Sequence, residues 1–327
     1  MAKSGKSEGV VLGDVGGTNA RFAILQDGVL GGIEHLKVAN YQQFADALDA
    51  FMAMRADHRA IRHALFGVAG VVERDRCVMT NNPWIVSADE LRDRFGLSTI
   101  RIINDFEAVA WSLPHLAEED LCKIGGRKPD PAAPKVILGP GTGLGVAAYL
   151  QTKQGDLVVR SEGGHATLPS SSAYEDAIIA KLRQQFGHVS AERALSGSGL
   201  ENLYHAIASL EAQTPPTLGA IEITQAAAVG NGGLGRVTVD IFCALLGSVA
   251  GNLALSFGAL GGVYIAGGIT PHLQDYLPVS QFRSRFEAKG RLTTYLESIP
   301  TYLILHDDPA FVGLQWLALQ QISSAEF

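Results

Sequence analysis

Ile100-Arg-Ile-Ile-Asn-Asp-Phe106 is the stretch on which the interpretation of the whole chain depends. Its first four residues are mostly β-branched and predict a buried strand. The segment that follows, Glu107–Leu113, has the apolar spacing of a helix, which Asn104 or Asp105 is placed to cap. Ligands of open α/β sheets bind beyond the carboxyl ends of strands. Asp105 is therefore a candidate for two roles, a helix cap or a general base.

Composition limits the class of protein before any motif is considered. The chain has 327 residues, which predicts about two domains. Hydrophobic residues make up 47% and charged residues 18%, which is enough for a large core and excludes a disordered chain. The net charge is -7 and no Lys/Arg block is present, so we expect neither nucleic acid nor a membrane as a partner.

The cysteines and the first residues indicate the compartment. Cys77, Cys122 and Cys243 are odd in number and widely spaced, which argues against a disulfide framework and against a CxxC zinc site. The start, Met1–Ser7, lacks the apolar core of a secretory signal. We therefore expect a cytoplasmic protein.

One segment is long and apolar enough to require a membrane test. Ile241–Pro271 contains no charged residue. It is rich in glycine, however, and the pair Gly261-Gly262 separates a helical half from a strand-like half. We predict a buried helix, turn and strand, because no second such span exists to form a bundle.

A glycine-rich turn near the start joins two predicted strands, Gly9–Leu12 and Ala20–Gln26. Such a turn is common in ordinary hairpins. It could also bind phosphate, because glycines let backbone N–H groups approach closely. The carboxylate of Asp14, at the end of the first strand, could hold Mg²⁺ through water. The candidate nucleotide-site residues here are Asp14, Gly16, Gly17, Thr18 and Asn19.

The same layout recurs more than a hundred residues later. A predicted strand, Val136–Leu138, runs into a second glycine turn and then into Val146–Leu150. Two such turns could hold one nucleotide tail from both sides. A glycine pair after the strand Val263–Ala266 could in turn let an adenosine lie flat on the backbone. The candidates from these turns are Gly139, Gly141, Thr142, Gly143, Gly267 and Gly268.

Two further polar segments have both a structural and a functional interpretation. Ser161–His165 is either a surface turn or a ligand-binding loop containing Glu162 and His165. Glu192 is either solvated or part of the same site. The spacing Ser198-x-x-Glu201 predicts the capped start of a helix.

Taken together and in order, six motifs resemble those of bacterial glucokinases of the non-ROK type, within the actin/hexokinase/heat-shock ATPase superfamily. The resemblance runs along nearly the whole chain. The motifs are Gly13-Asp-Val-Gly-Gly-Thr-Asn-Ala-Arg-Phe22, Asn104-Asp-Phe-Glu-Ala-Val-Ala110, Gly139-Pro-Gly-Thr-Gly-Leu-Gly145, Ser161-Glu-Gly-Gly-His165, Glu192-Arg-Ala-Leu-Ser-Gly-Ser-Gly-Leu200 and Ala266-Gly-Gly-Ile269.

The resemblance implies a fold and a reaction. The fold is α/β, a two-domain actin-like ATPase (ribonuclease H-like) fold with a central cleft. The expected small domain is 1–112 plus 308–327, and the expected large domain is 113–307. The implied reaction is the ATP- and Mg²⁺-dependent phosphorylation of D-glucose at its 6-hydroxyl, and family members are often homodimers. The alternatives are a kinase for mannose or fructose, a non-catalytic sugar sensor and an actin-like filament protein.

The resemblance also implies roles for single residues. Asp105 matches the base that receives the proton of the sugar 6-hydroxyl. The glycine turns match the phosphate cradles and the adenosine turn, with Asp14 near Mg²⁺. ROK kinases carry a cysteine-rich zinc motif that this chain lacks, so no zinc is expected. The residues matching the sugar site are Asn104, Asp105, Glu162, His165 and Glu192.

Overall fold

The structure, a computed structural model, describes residues 9–55, 61–80, 82–229 and 232–324. The segment Met1–Ser7, on which the secretory-signal argument rests, lies outside them. By their internal contacts the described residues form two compact units, which belong to Met1–Leu116 with Asp307–Phe327 and to Ala117–His306. The domain limits expected from the resemblance stay a prediction.

Strands and helices are interspersed along the chain. The first part forms β1 (Gly9–Val15), β2 (Asn19–Gln26), β3 (Val29–Leu30), β4 (Glu34–Lys37), α1 (Phe44–Ala53), β5 (Ile61–Val68), β6 (Gly70–Glu73), β7 (Arg76–Met79), β8 (Ile85–Ser87), α2 (Ala88–Phe95), β9 (Thr99–Asn104) and α3 (Asp105–Ser112). The middle part forms β10 (Leu121–Gly125), β11 (Lys135–Pro140), β12 (Leu144–Thr152), β13 (Gly155–Ser161), α4 (Ala173–Phe186), α5 (Gly197–Leu210), α6 (Ala220–Val229), α7 (Leu234–Phe257), β14 (Val263–Ile265), α8 (Phe282–Glu287), α9 (Thr293–Ser298) and β15 (Thr301–Ile304). The chain then forms α10 (Pro309–Ser324).

The first unit is built on a mixed sheet with the strand order β3-β2-β1-β5-β9, and β4 also pairs with β2. β1 and β2 form an antiparallel hairpin, whereas β5 and β9 continue the sheet in parallel. The parallel register aligns Val15 with Val68 and Val68 with Asn104. The first glycine turn and the start of α3 therefore lie at the same edge of this sheet.

Aromatic packing holds the core of the first unit together. Phe22, Phe44 and Phe66 are fully buried, with ring centroids 5.1–6.4 Å apart. Gly13 lies between two of these rings, where a Cβ would be 2.7 Å from Phe66 and 2.9 Å from Phe22. The glycine at position 13 is thus explained by core packing rather than by ligand contact.

The second unit repeats this layout. Its sheet has the order β10-β15-β14-β11-β12-β13. β11 and β12 form the antiparallel hairpin, and β14 and β15 continue the sheet in parallel. The register pairs Leu138 with Ile265, so the second glycine turn and Gly267 follow neighbouring strands at one edge.

The apolar segment forms a buried helix, a turn and a strand, as its glycine pattern predicts. α7 is the one helix in the described ranges that is long and apolar enough to cross a membrane, and it is mostly buried inside the protein. It begins at Leu234, before the uncharged segment. Its first turns carry an Arg236–Asp240 ion pair at 3.3 Å.

The predicted start of one helix is wrong by two residues, because the cap is Ser196 and not Ser198. α5 begins at Gly197, and its cap is Ser196, whose Oγ accepts from Gly199 N at 2.9 Å. Ser198 lies inside the first turn instead. Ser196 is the cap because its backbone is extended, which directs its hydroxyl toward the first amides of the helix.

Candidate functional site

The first glycine turn is shorter than the sequence predicts. β1 continues through Asp14, and only Gly16–Thr18 form the turn between the strands. Gly16 N donates to Asn19 O at 2.9 Å, which closes the hairpin. Asn19 begins β2, and its side-chain oxygen accepts from Lys37 at 2.8 Å. The amides of Gly17 and Thr18 are consequently the turn's candidates for binding phosphate.

Asp14 lies at the end of β1 in a charged group that the sequence analysis missed. Arg21 faces it across the hairpin and donates to its Oδ2 at 2.8 Å. Arg21 Nε also lies 3.4 Å from Asp308 Oδ1, just before α10. Burial raises the pKa of Asp14, and the neighbouring guanidinium opposes that shift. The hairpin register could have revealed Arg21, whereas Asp308 has no local sequence signal.

The donor set around Asp14 is small enough to be tested against a metal ion. Mg²⁺ keeps several waters and is usually bound by one or two carboxylates together with substrate phosphates. One partly accessible carboxylate at the end of a strand fits an ion that arrives with a nucleotide. Within the ranges described, no group of three or more His, Cys, Asp or Glu residues has metal-ligand geometry. The absence of zinc stays a prediction, which elemental analysis can test.

Asn104 and Asp105 both contact the first amides of α3, but Asn104 holds the cap position. Asn104 caps α3, because its Oδ1 accepts from Phe106 N at 2.9 Å and from Glu107 N at 3.2 Å. Its Nδ2 donates to Gly70 O at 3.2 Å. Asp105 is the first residue of the helix, and its Oδ1 also accepts from Phe106 N at 3.0 Å. The cap is therefore Asn104, which leaves the base hypothesis for Asp105 standing.

Two small residues, Gly67 on β5 and Ala108 on α3, let the start of α3 lie close to the sheet. A Cβ on Gly67 would lie 3.1 Å from Ala108 Cβ and 3.6 Å from Asp105 Cα, so this glycine lets α3 pack directly on β5. The Sγ of the buried Cys77 lies 2.9 Å from the Cβ position of Gly70, the residue whose carbonyl accepts from Asn104. Burial and the charge of Asp105 raise the pKa of this thiol to about 11, so it stays protonated at neutral pH.

The second glycine turn consists of Gly141–Gly143, while Gly139 lies within β11 opposite Gly145. Gly141 N donates to Gly143 O at 2.8 Å, and Gly141 O accepts from Gly197 N at 2.8 Å. The turn is therefore attached to the start of α5. Thr142 is exposed at its tip.

The predicted adenosine turn packs against this second turn. Gly267 has φ +100°, and a Cβ there would lie 2.4 Å from Pro140 O. Only glycine fits such a position without displacing the backbone. Gly268 N lies 4.0 Å from the Cβ position of Gly141, so the second unit brings these two predicted turns together.

Three predicted sugar-site residues of the second unit also lie together. His165 Nε2 is 3.8 Å from Glu162 Oε2, and His165 Nδ1 is 4.0 Å from Glu192 Oε1. Both distances exceed those of a direct hydrogen bond. The imidazole therefore lies between two carboxylates that retain acceptor capacity for a ligand hydroxyl.

Glu192 connects this polar group to the second glycine turn. Its Oε2 accepts from Leu144 N at 3.0 Å, at the point where the turn ends and β12 begins. On the other side of the same residue, a Cβ on Gly164 would lie 2.0 Å from Leu144 O. The Ser161–His165 segment thus packs directly on the residue that follows the turn, and it is more than an isolated surface turn.

Comparisons with known proteins show the family of the chain. The family model described as Glucokinase matches residues 11–321. The chain belongs to the glucokinase family. The glucokinase of Paramagnetospirillum magneticum is 45% identical over 313 residues, which cover 95% of this chain and 98% of the relative.

Solved structures of glucokinases share the fold. That of a glucokinase from an Antarctic psychrotroph has a TM-score of 0.81 and 32% identity, and the match covers 94% of this chain and 97% of that one. A ROK family glucokinase from Streptomyces griseus, solved with glucose and AMPPNP, has a TM-score of 0.66 at 18% identity. The match covers 95% of this chain and 99% of that one. The second likeness concerns the fold alone. The predicted family is confirmed, as is a mixed α/β fold of the actin-like ATPase type.

Proposed function

We propose that this member of the glucokinase family transfers the γ-phosphoryl group of ATP to the 6-hydroxyl of D-glucose, giving glucose 6-phosphate and ADP. The observation that carries the proposal is the register of the first sheet, which aligns Val15, Val68 and Asn104. A candidate phosphate turn and a candidate base consequently follow strands at one sheet edge, separated by one strand. The relatives named glucokinase support the same reaction.

Sugar recognition is assigned to Glu162, His165 and Glu192. A neutral sugar offers only hydroxyl groups, so its site needs ionised acceptors together with donors in a fixed arrangement. The two carboxylates accept from sugar hydroxyls, and the imidazole between them donates or accepts according to its tautomer. The spacings of 3.8 and 4.0 Å let a hydroxyl oxygen bond to the ring and to a carboxylate at once.

The chemical step is assigned to Asp105, acting on the same glucose molecule. Asp105 takes the proton of the 6-hydroxyl as that oxygen forms its bond to the γ-phosphorus. The bond from the γ-phosphorus to the β–γ bridging oxygen breaks, and ADP leaves with the electron pair. Asn104 holds the start of α3 through its cap, and its second amide hydrogen remains for a sugar oxygen.

The nucleotide is assigned to the glycine turns, with adenosine at Gly267-Gly268. Asp14 would hold a hydrated Mg²⁺, which neutralises charge that develops on the phosphates. The two-domain arrangement around a central cleft, with limits 1–112 plus 308–327 and 113–307, also belongs to this proposal. A cytoplasmic location and a homodimer belong to this proposal as well. Sedimentation of the purified protein can test the homodimer.

A coupled assay with purified protein, ATP and Mg²⁺ across glucose, mannose and fructose tests the function. We expect the highest kcat/KM with glucose. A higher value with mannose or fructose would assign the enzyme to that hexose instead. Glucose binding by calorimetry without turnover of any hexose would make the protein a sensor and overturn the proposal.

A further inference from the structure

We infer that Asp308–Gly313, the residue before α10 together with the first five residues of that helix, is a positioning element for the two carboxylates of the proposed reaction, Asp105 and Asp14. The inference rests on the proposed function and adds residues to it that no motif contains. Two separate contacts carry it. One joins α10 to the helix that begins with Asp105, and the other joins the residue before α10 to the partner of Asp14.

The first contact is a close approach between α10 and α3. A Cβ on Gly313 would lie 2.0 Å from Ala108 O, 2.9 Å from Ser112 N and 3.0 Å from Trp111 Cβ. Ordinary contact begins at about 3.4 Å, so a single methyl group would push the two helices apart by roughly 1 Å. Gly313 consequently sets the position of α3 on the sheet.

A displacement of α3 is transmitted to its first residue. α3 has eight residues, and Ala108 is within the turn that Asp105 begins. The other face of this turn already touches the sheet, where the Cβ position of Gly67 is 3.1 Å from Ala108. α3 is thus in contact at Ala108 with the sheet on one side and with α10 on the other. A displacement of α10 therefore displaces the start of α3 and with it the carboxylate of Asp105.

The second contact fixes Arg21 between two carboxylates. Its Nη1 donates to Asp14 Oδ2 at 2.8 Å, and its Nε lies 3.4 Å from Asp308 Oδ1. The side chains of Asp14 and Asp308 are only 15% and 14% exposed, so water screens these contacts weakly. Asp308 shares the guanidinium charge and thereby limits how strongly Arg21 competes with a cation for Asp14.

Both contacts are made within six residues of one another on the chain. The outer residue of the cluster is His35, whose Nε2 lies 3.9 Å from Asp308 Oδ2. Asp308 and Gly313 contact neither substrate in this scheme. They are positioning residues, since they act through Arg21 and through α3.

Gly313→Ala tests the first contact, with Gly32→Ala as its matched control, because a Cβ on Gly32 would meet nothing within 4 Å. We expect kcat to fall on the order of 10²-fold, as for a misplacement of about 1 Å, while the glucose Kd from calorimetry changes less than ~3-fold. Trp111 and Trp316 report the helix contact directly through their fluorescence in a Trp84→Phe background. The control should match the parent protein in all three readouts.

Asp308→Asn tests the second contact, with the exposed Asp307→Asn as its control. Arg21 then pairs with Asp14 alone, so we expect a higher Mg²⁺ concentration for half-maximal rate. We also expect a smaller gain in ATP affinity on adding Mg²⁺, measured by calorimetry without glucose. This variant tests the inference even if Gly313→Ala does not fold.

Each contact is tested by its own folded variant: an unchanged kcat in Gly313→Ala, or an unchanged Mg²⁺ dependence in Asp308→Asn, within twofold of the parent, overturns the part of the inference that rests on that contact. A changed fluorescence with unchanged kcat in Gly313→Ala would show that α10 only packs against α3. Failure of the proposed function would be seen elsewhere, in a parent protein that phosphorylates no hexose.

Discussion

Glu192 offers a prediction in which two substitutions separate two roles of one side chain. Its Oε2 accepts from Leu144 N at 3.0 Å, and its Oε1 faces His165 at 4.0 Å. Glu192→Gln keeps an acceptor for the backbone amide but loses the charge. Glu192→Ala loses both. The two variants should therefore differ in the properties that depend on the glycine turn, which are the KM for ATP and the stability. Both should bind glucose more weakly.

The magnitudes follow from burial. Leu144 is 5% exposed, so Glu192→Ala leaves its N–H without an acceptor at a cost of about 1–3 kcal/mol. Loss of a charged acceptor for a sugar hydroxyl costs about 1.5–3 kcal/mol, which weakens glucose binding roughly 10- to 150-fold. The Glu192 side chain is 23% exposed, which favours the lower part of that range. Glu192→Gln should retain stability within about 1 kcal/mol.

The assays are glucose binding by calorimetry, KM for ATP and urea unfolding. We expect weaker glucose binding in both variants, but a raised KM for ATP and lower stability in Glu192→Ala alone. Glu222→Ala is the matched control, because Glu222 also accepts from a backbone amide, Gly219 N at 2.8 Å, on an exposed surface. Unchanged glucose affinity in Glu192→Ala would refute the assignment of this residue to the sugar site.

The remaining predictions concern a glycine, the metal and the thiols. Gly164→Ala should abolish most glucose binding, because its Cβ would lie 2.0 Å from a backbone carbonyl oxygen; normal calorimetric binding would contradict this. Asp14→Ala should raise the Mg²⁺ requirement and lower turnover without weakening nucleotide-free glucose binding, and a collapse of that binding would move Asp14 out of the metal site. Burial raises the pKa of Cys77 to about 11 and of Cys243 to about 12, so iodoacetamide at pH 8 should modify Cys122 first, as mass spectrometry of the native protein can check.

The sequence was sufficient for features that depend on local patterns. The two strand–turn–strand segments and the buried helix α7 both follow from hydrophobic periodicity and turn residues. Boundaries were less certain: the first strand was predicted to end at Leu12, but β1 continues to Val15 and includes Asp14. Adjacent residues with similar capping preference, Asn104 and Asp105, could not be ranked because the preference alone does not distinguish them.

Contacts between distant parts of the chain were outside the reach of the sequence. Asp308 reaches Arg21 from the other end of the chain, and Gly313 meets Ala108 through helix packing. Neither contact leaves a spacing or composition signal. The bond from Glu192 to Leu144 is likewise a product of tertiary structure. Arg21 is different, since a correctly placed hairpin turn would have put it opposite Asp14.

The most direct test of Asp105 as the general base is to measure both kcat and the glucose Kd of Asp105→Asn. This substitution preserves volume and hydrogen-bonding capacity and removes the base. Because Asn104 caps α3, the helix should stay intact. We expect kcat to fall by ~10²–10⁴, the usual contribution of a general base, and the glucose Kd measured by calorimetry to stay nearly unchanged. A variant that keeps near wild-type kcat at saturating glucose and ATP would contradict this expectation.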